Sequence, residues 1–154
     1  MSQTPSAKLE AIGIQLPEPA KPVAAYVPTV RTGNLLFVSG QIPFRDGALA
    51  AAGSVPTQVT PETAKQCARQ CAINGLAAAK AALGSIDRIK RVVRLGVWVA
   101  SERGFHGQPG VANGASELMV EVFGDAGRHV RAAVGSIDLP LGAPVEVGFR
   151  VEVE

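Results

Sequence analysis

From Val145 to Val153 the chain alternates without a break. Val145, Val147, Phe149, Val151 and Val153 fall on one face, and Glu146, Gly148, Arg150 and Glu152 on the other. Such a strand is buried on one side only. The sheet that holds it must therefore be covered on one face by something apolar. The stretch Thr60 to Leu83 has the pattern to supply that cover. Ala64, Cys67, Ala68, Cys71, Ala72, Gly75, Leu76, Ala79 and Leu83 recur at helical spacing, while Lys65, Arg69, Gln70, Asn74 and Lys80 take the opposite side. Thr60 suits the N-cap, Pro61 the first helical position, Glu62 the first turn and Gly84 the C-cap. Aromatics make up only 5% of the chain, so Ala, Val and Gly must carry the core. Small residues of this kind imply close approach between helix and sheet.

The remaining elements follow from the same two periodicities. Residues 1–24 are expected to form an arm: Ala7 to Ile12 makes a turn or two of helix ended by Gly13. The three prolines of Leu16 to Pro22 exclude a helix or an inner strand, because each removes a donor and fixes φ. Residues 25–154 read as one domain, a size that needs no disulfide or metal to build a core. Within it, Ala25 to Arg31 and Leu35 to Ser39 form a hairpin across Thr32-Gly33-Asn34, and Ala48 to Ala51 gives a short third strand. Ile89 to Val99 is a strand, Ala100 to Pro109 a loop, and Ala112 to Phe123 a second helix. Val130 to Ser136 precedes the last strand. The order β-β-β-α-β-α-β-β predicts an α+β fold with a single mixed sheet and both helices on its apolar face. The other sheet face is expected to carry Arg131, Ala133, Glu146 and Arg150.

Several function classes lose their usual signals. With 15 basic and 13 acidic residues the net charge is +2, too balanced for a nucleic-acid surface. The one dense basic cluster, Arg88-Ile-Lys90-Arg91, reads as a solvated strand edge. Cys67 and Cys71 share a helix face at a spacing that is not CxxC, and no histidine stands beside them, so they read as two buried free thiols. His106 and His129 are isolated from other metal-ligating residues, which predicts no metal site. No GxSxG, P-loop or helix-opening GxGxxG occurs. Met1 to Glu10 is polar and no run of 18 apolar residues exists. A cytoplasmic protein without a membrane partner is the resulting expectation.

One segment stands out chemically. Arg131 opens a strand, Leu139-Pro140 turns the chain, and Glu146 lies in the next strand. If those strands lie side by side, an arginine fork that binds carboxylates bidentately borders the same cleft as a potential acid or base. The competing account is a cross-strand ion pair on a solvated sheet. Tyr26, the single tyrosine, reads by itself as a packing residue. Ser39-Gly40-Gln41 ends a strand and has backbone N–H groups to offer an anion, or is simply a turn.

These residues also carry a likeness. Tyr26, the run Gly33-Asn34-Leu35-Leu36-Phe37-Val38-Ser39-Gly40-Gln41-Ile42-Pro43, then Arg131, Leu139-Pro140 and Val145-Glu146 resemble the RidA/YjgF family of enamine/imine deaminases, also described as endoribonuclease L-PSP-like. The likeness extends over about Tyr26 to Val153 and is similar to the branch with an N-terminal extension and an Asn113-Gly-Ala-Ser-Glu stretch. It implies a chorismate-mutase-like fold and a homotrimer whose sheets line a barrel, with ligand clefts between subunits. It also implies cofactor-independent hydrolysis of 2-aminoacrylate and related 2-imino acids to 2-keto acids and ammonia. In that family's terms Arg131 clamps the substrate carboxylate and Glu146 directs the water. The backbone at Ala133 binds water or imine nitrogen, while Tyr26 and Ser39 line the pocket. Many members have cysteine where Ala133 stands, so the resemblance assigns that position a backbone role here. A non-catalytic small-carboxylate binder and a translation-inhibiting endoribonuclease are the two rival functions.

Overall fold

The structure, a computed structural model, describes residues 2–22 and 24–154. Met1 and Val23 of the expected arm lie outside the described residues. The elements are α1 (Pro5–Ala11), β1 (Thr29–Thr32), β2 (Leu35–Gln41), β3 (Phe44–Arg45), β4 (Ala48–Leu49), α2 (Pro61–Leu83), β5 (Ile89–Ala100), α3 (Gln108–Phe123), β6 (Val130–Ser136) and β7 (Val145–Val153). The main sheet has five strands in the order β1-β2-β7-β5-β6. Every neighbouring pair is antiparallel except β5 with β6. α2 covers β2 and β7, and α3 covers β5 and β6, so one face of the sheet is helical and the other bare.

Local chemistry explains the long helix. The Thr60 hydroxyl accepts from the Thr63 N–H at 3.2 Å, Pro61 occupies the first turn, and Gly84 ends the helix at φ 85°. Small residues do what their sequence pattern predicts. A Cβ on Gly75 would enter the Phe149 ring of β7, and one on Gly114 of α3 would strike the Lys65 carbonyl of α2. Both interfaces are closer than any side chain permits. The inward residues of β5 and β7, with Leu36 and Val38 of β2, complete the core. Leu9 of α1 joins it, and the Ser6 N–H donates to Asp87 at 2.8 Å.

Four expectations need correction. The first strand begins at Thr29, not Ala25, because residues 24–26 form a bend and Pro28 has no N–H for a ladder. Ala48 pairs with Arg45 in a separate two-stranded hairpin. Its turn residues Asp46 and Gly47 have φ of 53° and 83°, the conformation that favours Asp-Gly. The single sheet is thus a main sheet plus this hairpin. The second helix starts at Gln108, with Pro109 in its first turn.

The fourth correction moves the site. β6 and β7 are not neighbours, since β5 lies between them. Nor do Arg131 and Ala133 share a face with Glu146 and Arg150. The register pairs Leu95 with Arg131 and Val97 with Ala133. Leu95 and Val97 are buried beneath the helices, and partners across a ladder share a face, so Arg131 and Ala133 turn toward the helical side. The outward residues of β6 are Val130, Ala132 and Val134, with Val130 62% and Val134 47% exposed. Hydrophobicity on this edge strand runs opposite to that on β7. Glu146 and Arg150 do lie on the bare face.

Candidate active site

Glu146 opens β7 on the bare face, opposite Trp98 of β5. Burial pushes its carboxyl above the usual range, since no hydrogen-bond donor offsets the lost hydration among the described residues. The strand beside it makes room. The register of β2 with β7 shifts between Val38 and Gln41, so Ser39 and Gly40 bulge opposite Gly148. A Cβ on Gly40 would lie 2.7 Å from the Glu146 Oε1. Glycine there is what allows the carboxylate to lie across the strand. The Ser39 hydroxyl donates to the Val27 carbonyl at 2.8 Å, and its N–H to the Pro28 carbonyl at 2.9 Å. These bonds hold the segment next to Tyr26, whose side chain is exposed, against the same end of β2. Gly40, Trp98, Val134, Glu146, Gly148 and Arg150 border a depression of ≈ 380 Å³. Arg150 stacks over Phe37 at 5.1 Å. A larger hollow of ≈ 1030 Å³ lies between residues 12–20, the β3–β4 hairpin and α2, and none of the five predicted site residues lines it.

Arg131 belongs to a different cluster. It sits on the edge strand, turned toward α3. Its Nη1 donates to Asn113 Oδ1 at 2.8 Å and to Ser116 Oγ at 3.2 Å, and its Nη2 to the Pro109 carbonyl at 3.4 Å. Asn113 and Ser116 are three residues apart on the helix and so present to one side. The Ser116 hydroxyl also meets His129 Nε2 at 2.9 Å, and His129 Nδ1 meets the Gly127 carbonyl at 2.6 Å. Of five guanidinium N–H groups, Nη1 uses both of its own and Nη2 one. The Nε–H and one Nη2–H remain without a partner among the described residues. Both are free to donate to a carboxylate. Ala133 follows on the same strand and side. Because β6 is an edge, half of its backbone polar groups have no strand partner.

The two clusters do not converge within one chain. Arg131 pairs with Leu95 and Glu146 with Trp98, three residues further along β5 and on its other side. Two strand spacings and three residues separate their Cα atoms by roughly 14 Å, with the side chains on opposite faces. The cross-strand ion pair is therefore excluded. The structure brings Ser39 and Glu146 to one end of the bare face, and Arg131 and Ala133 to the opposite edge. Asn113, Ser116 and His129 escaped the sequence reading as partners of Arg131. The signal available was the i,i+3 spacing of the first two on a helix and the i,i+2 spacing of Arg131 and His129, which immediately precedes β6.

Known proteins share this fold. Residues 6–151 match the family described as "YjgF/chorismate mutase-like, putative endoribonuclease". Protein TCP17 of Trypanosoma cruzi is 45% identical over 149 residues, covering 96% of this chain and 93% of that protein. The crystal structure of protein Atu1372 from Agrobacterium tumefaciens superposes with a TM-score of 0.89 at 43% identity, covering 97% of this chain and 92% of the other. A Shewanella oneidensis MR-1 structure described as an endoribonuclease gives 0.95 at 32% identity, covering 98% of this chain and 100% of that one. No helix among the described residues is long and apolar enough to cross a membrane. With this fold, with Ser39-Gly40-Gln41 bulged beside Glu146, and with Arg131 on the edge strand ahead of Leu139-Pro140, the chain belongs to the RidA/YjgF family.

Proposed function

We propose that this protein is a hydrolytic deaminase. It converts 2-aminoacrylate and related 2-imino acids to 2-keto acids and ammonia in the cytoplasm, at a site built by two copies of the chain. The observation that carries the reading is the Arg131 guanidinium, pinned by Asn113 and Ser116 with donors on Nε and Nη2 left without a partner among the described residues.

The chemistry needs little more than orientation and charge matching. The substrate carboxylate sits on Arg131 Nε and Nη2. 2-Aminoacrylate becomes a 2-imino acid by gaining a proton at C3 and losing one from nitrogen, and the imine carbon of that form is electrophilic. Glu146, held by burial as a stronger base than an exposed carboxylate, takes a proton from water as the oxygen attacks that carbon. Glu146 returns that proton to the nitrogen of the tetrahedral adduct, the hydroxyl proton follows as the C=O bond forms, the C–N bond breaks, and ammonia leaves behind the 2-keto acid. Unpaired backbone groups at Ala133 on the edge strand bind the water or the imine nitrogen, and Tyr26 and Ser39 line the wall beside Glu146.

Because Arg131 and Glu146 of one chain point away from each other, the reading assigns them to facing subunits. A cyclic trimer with the bare sheet faces turned inward supplies that arrangement. It also covers Trp98, Val30, Val130 and Val134, which are 40–62% exposed in the single chain. The test is ammonia release from 2-aminoacrylate made in situ by a serine dehydratase. Arg131→Ala should abolish release, and an unchanged rate would sink the assignment. The family description favours a second reading, cleavage of single-stranded RNA. The near-neutral charge opposes it. Nuclease activity that survives stringent purification and vanishes with Glu146→Gln would reinstate it.

A further inference from the structure

His129 and Ser116 carry a chemistry that the deaminase reading does not use. A carbonyl accepts but never donates, so His129 Nδ1, 2.6 Å from the Gly127 oxygen, carries the ring proton. In the neutral ring Nε2 is then an acceptor. The Ser116 hydroxyl, 2.9 Å away, donates to it. With its hydrogen committed, Ser116 Oγ turns lone pairs toward Arg131 Nη1 at 3.2 Å. One direction of donation thus runs from Arg131 through Ser116 and His129 to the backbone of Gly127. Reversing the Arg131 link would set two donors against each other, and reversing either His129 link in the neutral ring would set two acceptors face to face.

We infer that Ser116 and His129 are positioning residues that set the pose of Arg131 and so the affinity of the site for a carboxylate. This deepens the deaminase reading and rests on Arg131 being its carboxylate clamp. Asn113 fixes one Nη1 hydrogen at 2.8 Å, and the Pro109 carbonyl holds Nη2 more loosely at 3.4 Å. The Ser116 bond takes the second Nη1 hydrogen and tightens the hold on the plane. The donors left on Nε and Nη2 are then held in one direction before any ligand arrives. The arrangement requires neutral His129. Burial, then the neighbouring Arg131 charge, hold its pKa below the ordinary value. Among the described residues, Arg131 is the charged group that acts on the ring.

The experiment is calorimetric titration of the full chain with 2-ketobutyrate and, in parallel, with its uncharged amide. Ser116→Ala and His129→Phe should each weaken 2-ketobutyrate binding about tenfold, the worth of one hydrogen bond to a charged group. Ser116→Thr, which keeps the hydroxyl, should restore it. Binding of the amide should change less than twofold in every case. Arg131→Ala should weaken the keto acid by at least about thirtyfold. If Arg131→Ala does so while Ser116→Ala and His129→Phe bind as the parent does, the positioning role is refuted and the clamp stands. If the variants lose keto acid and amide equally, the two residues merely support the fold and the inference is overturned. If Arg131→Ala binds normally, the deaminase reading fails and this inference with it.

Discussion

Glu146 is a carboxylate in a place that penalises its charge. Burial raises its pKa above the ordinary 4.5. A group whose folded pKa is raised stabilises the fold only while protonated, and that contribution is lost as pH rises through the folded value. At pH 7 the ionised group is therefore a burden on the fold. Glu146→Gln should melt at a temperature no lower than the parent while losing turnover. A lowered melting temperature would mark the carboxylate as structural. Turnover by the parent should fall on acidification, with its acid limb above about pH 4.5, as the required base is protonated. His129 behaves oppositely. Its folded pKa is depressed, so its contribution is present above the unfolded value of 6.5 and lost as pH falls through the folded one. Denaturant unfolding of the parent should show stability falling from about pH 6.5 downward. That part of the slope should be missing in His129→Phe, and an identical profile would remove His129 as its source. Arg131 and Glu146 stand out in the sequence because fork and carboxylate are recognisable types. His129 does not, because its role comes from Ser116 on a helix 13 residues earlier, which only the fold brings near.

Helix packing puts glycine to a test at the scale of elements. Replacing a mid-helix glycine by alanine gains about 1 kcal/mol of helix propensity. At Gly114 and Gly75 that gain is opposed by a Cβ driven into the Lys65 carbonyl or the Phe149 ring. Overpacking costs about 1–3 kcal/mol, so both substitutions should destabilise. Gly110, also on α3, has open space around its Cβ. Gly110→Ala should be neutral or stabilising by up to about 1 kcal/mol. Chemical denaturation of the three variants decides the matter, and a stabilised Gly114→Ala would show that α2 and α3 are not in close contact. The close packing was legible in the run of Ala, Gly and Cys on α2. The facing of β6 was not. Its valines lie outward and its arginine inward, because β5 fixes the register and α3 offers Asn113 and Ser116 to the guanidinium. Hydrophobicity read as burial fails on this strand, whose valines are exposed in the single chain.

In the single chain Arg131 and Glu146 face different ways, and the proposed site needs two copies to join them. If Arg131 comes from one subunit and Glu146 from its neighbour, each cleft needs only one good residue from each side. Arg131→Ala and Glu146→Gln chains should each be inactive alone. Unfolded together in equal amounts and reassembled, they should recover activity. A cleft works only when its arginine comes from the second variant and its glutamate from the first. Random closure of a ring gives about one such cleft in four, whatever the number of subunits. Ammonia release from the mixture should therefore reach about a quarter of the parent rate, against none for either variant reassembled by itself. A site completed within one chain gives no recovery at any mixing ratio. The same reasoning places Trp98 and Val134 at the contact between sheets. Val134→Lys should put a charge where an apolar surface must close. It should leave a folded chain that elutes at a smaller mass and has no turnover, while its 2-keto acid binding falls with the loss of the second half-site. A variant that keeps the parent's mass and rate would show that the bare sheet face is not where the copies meet.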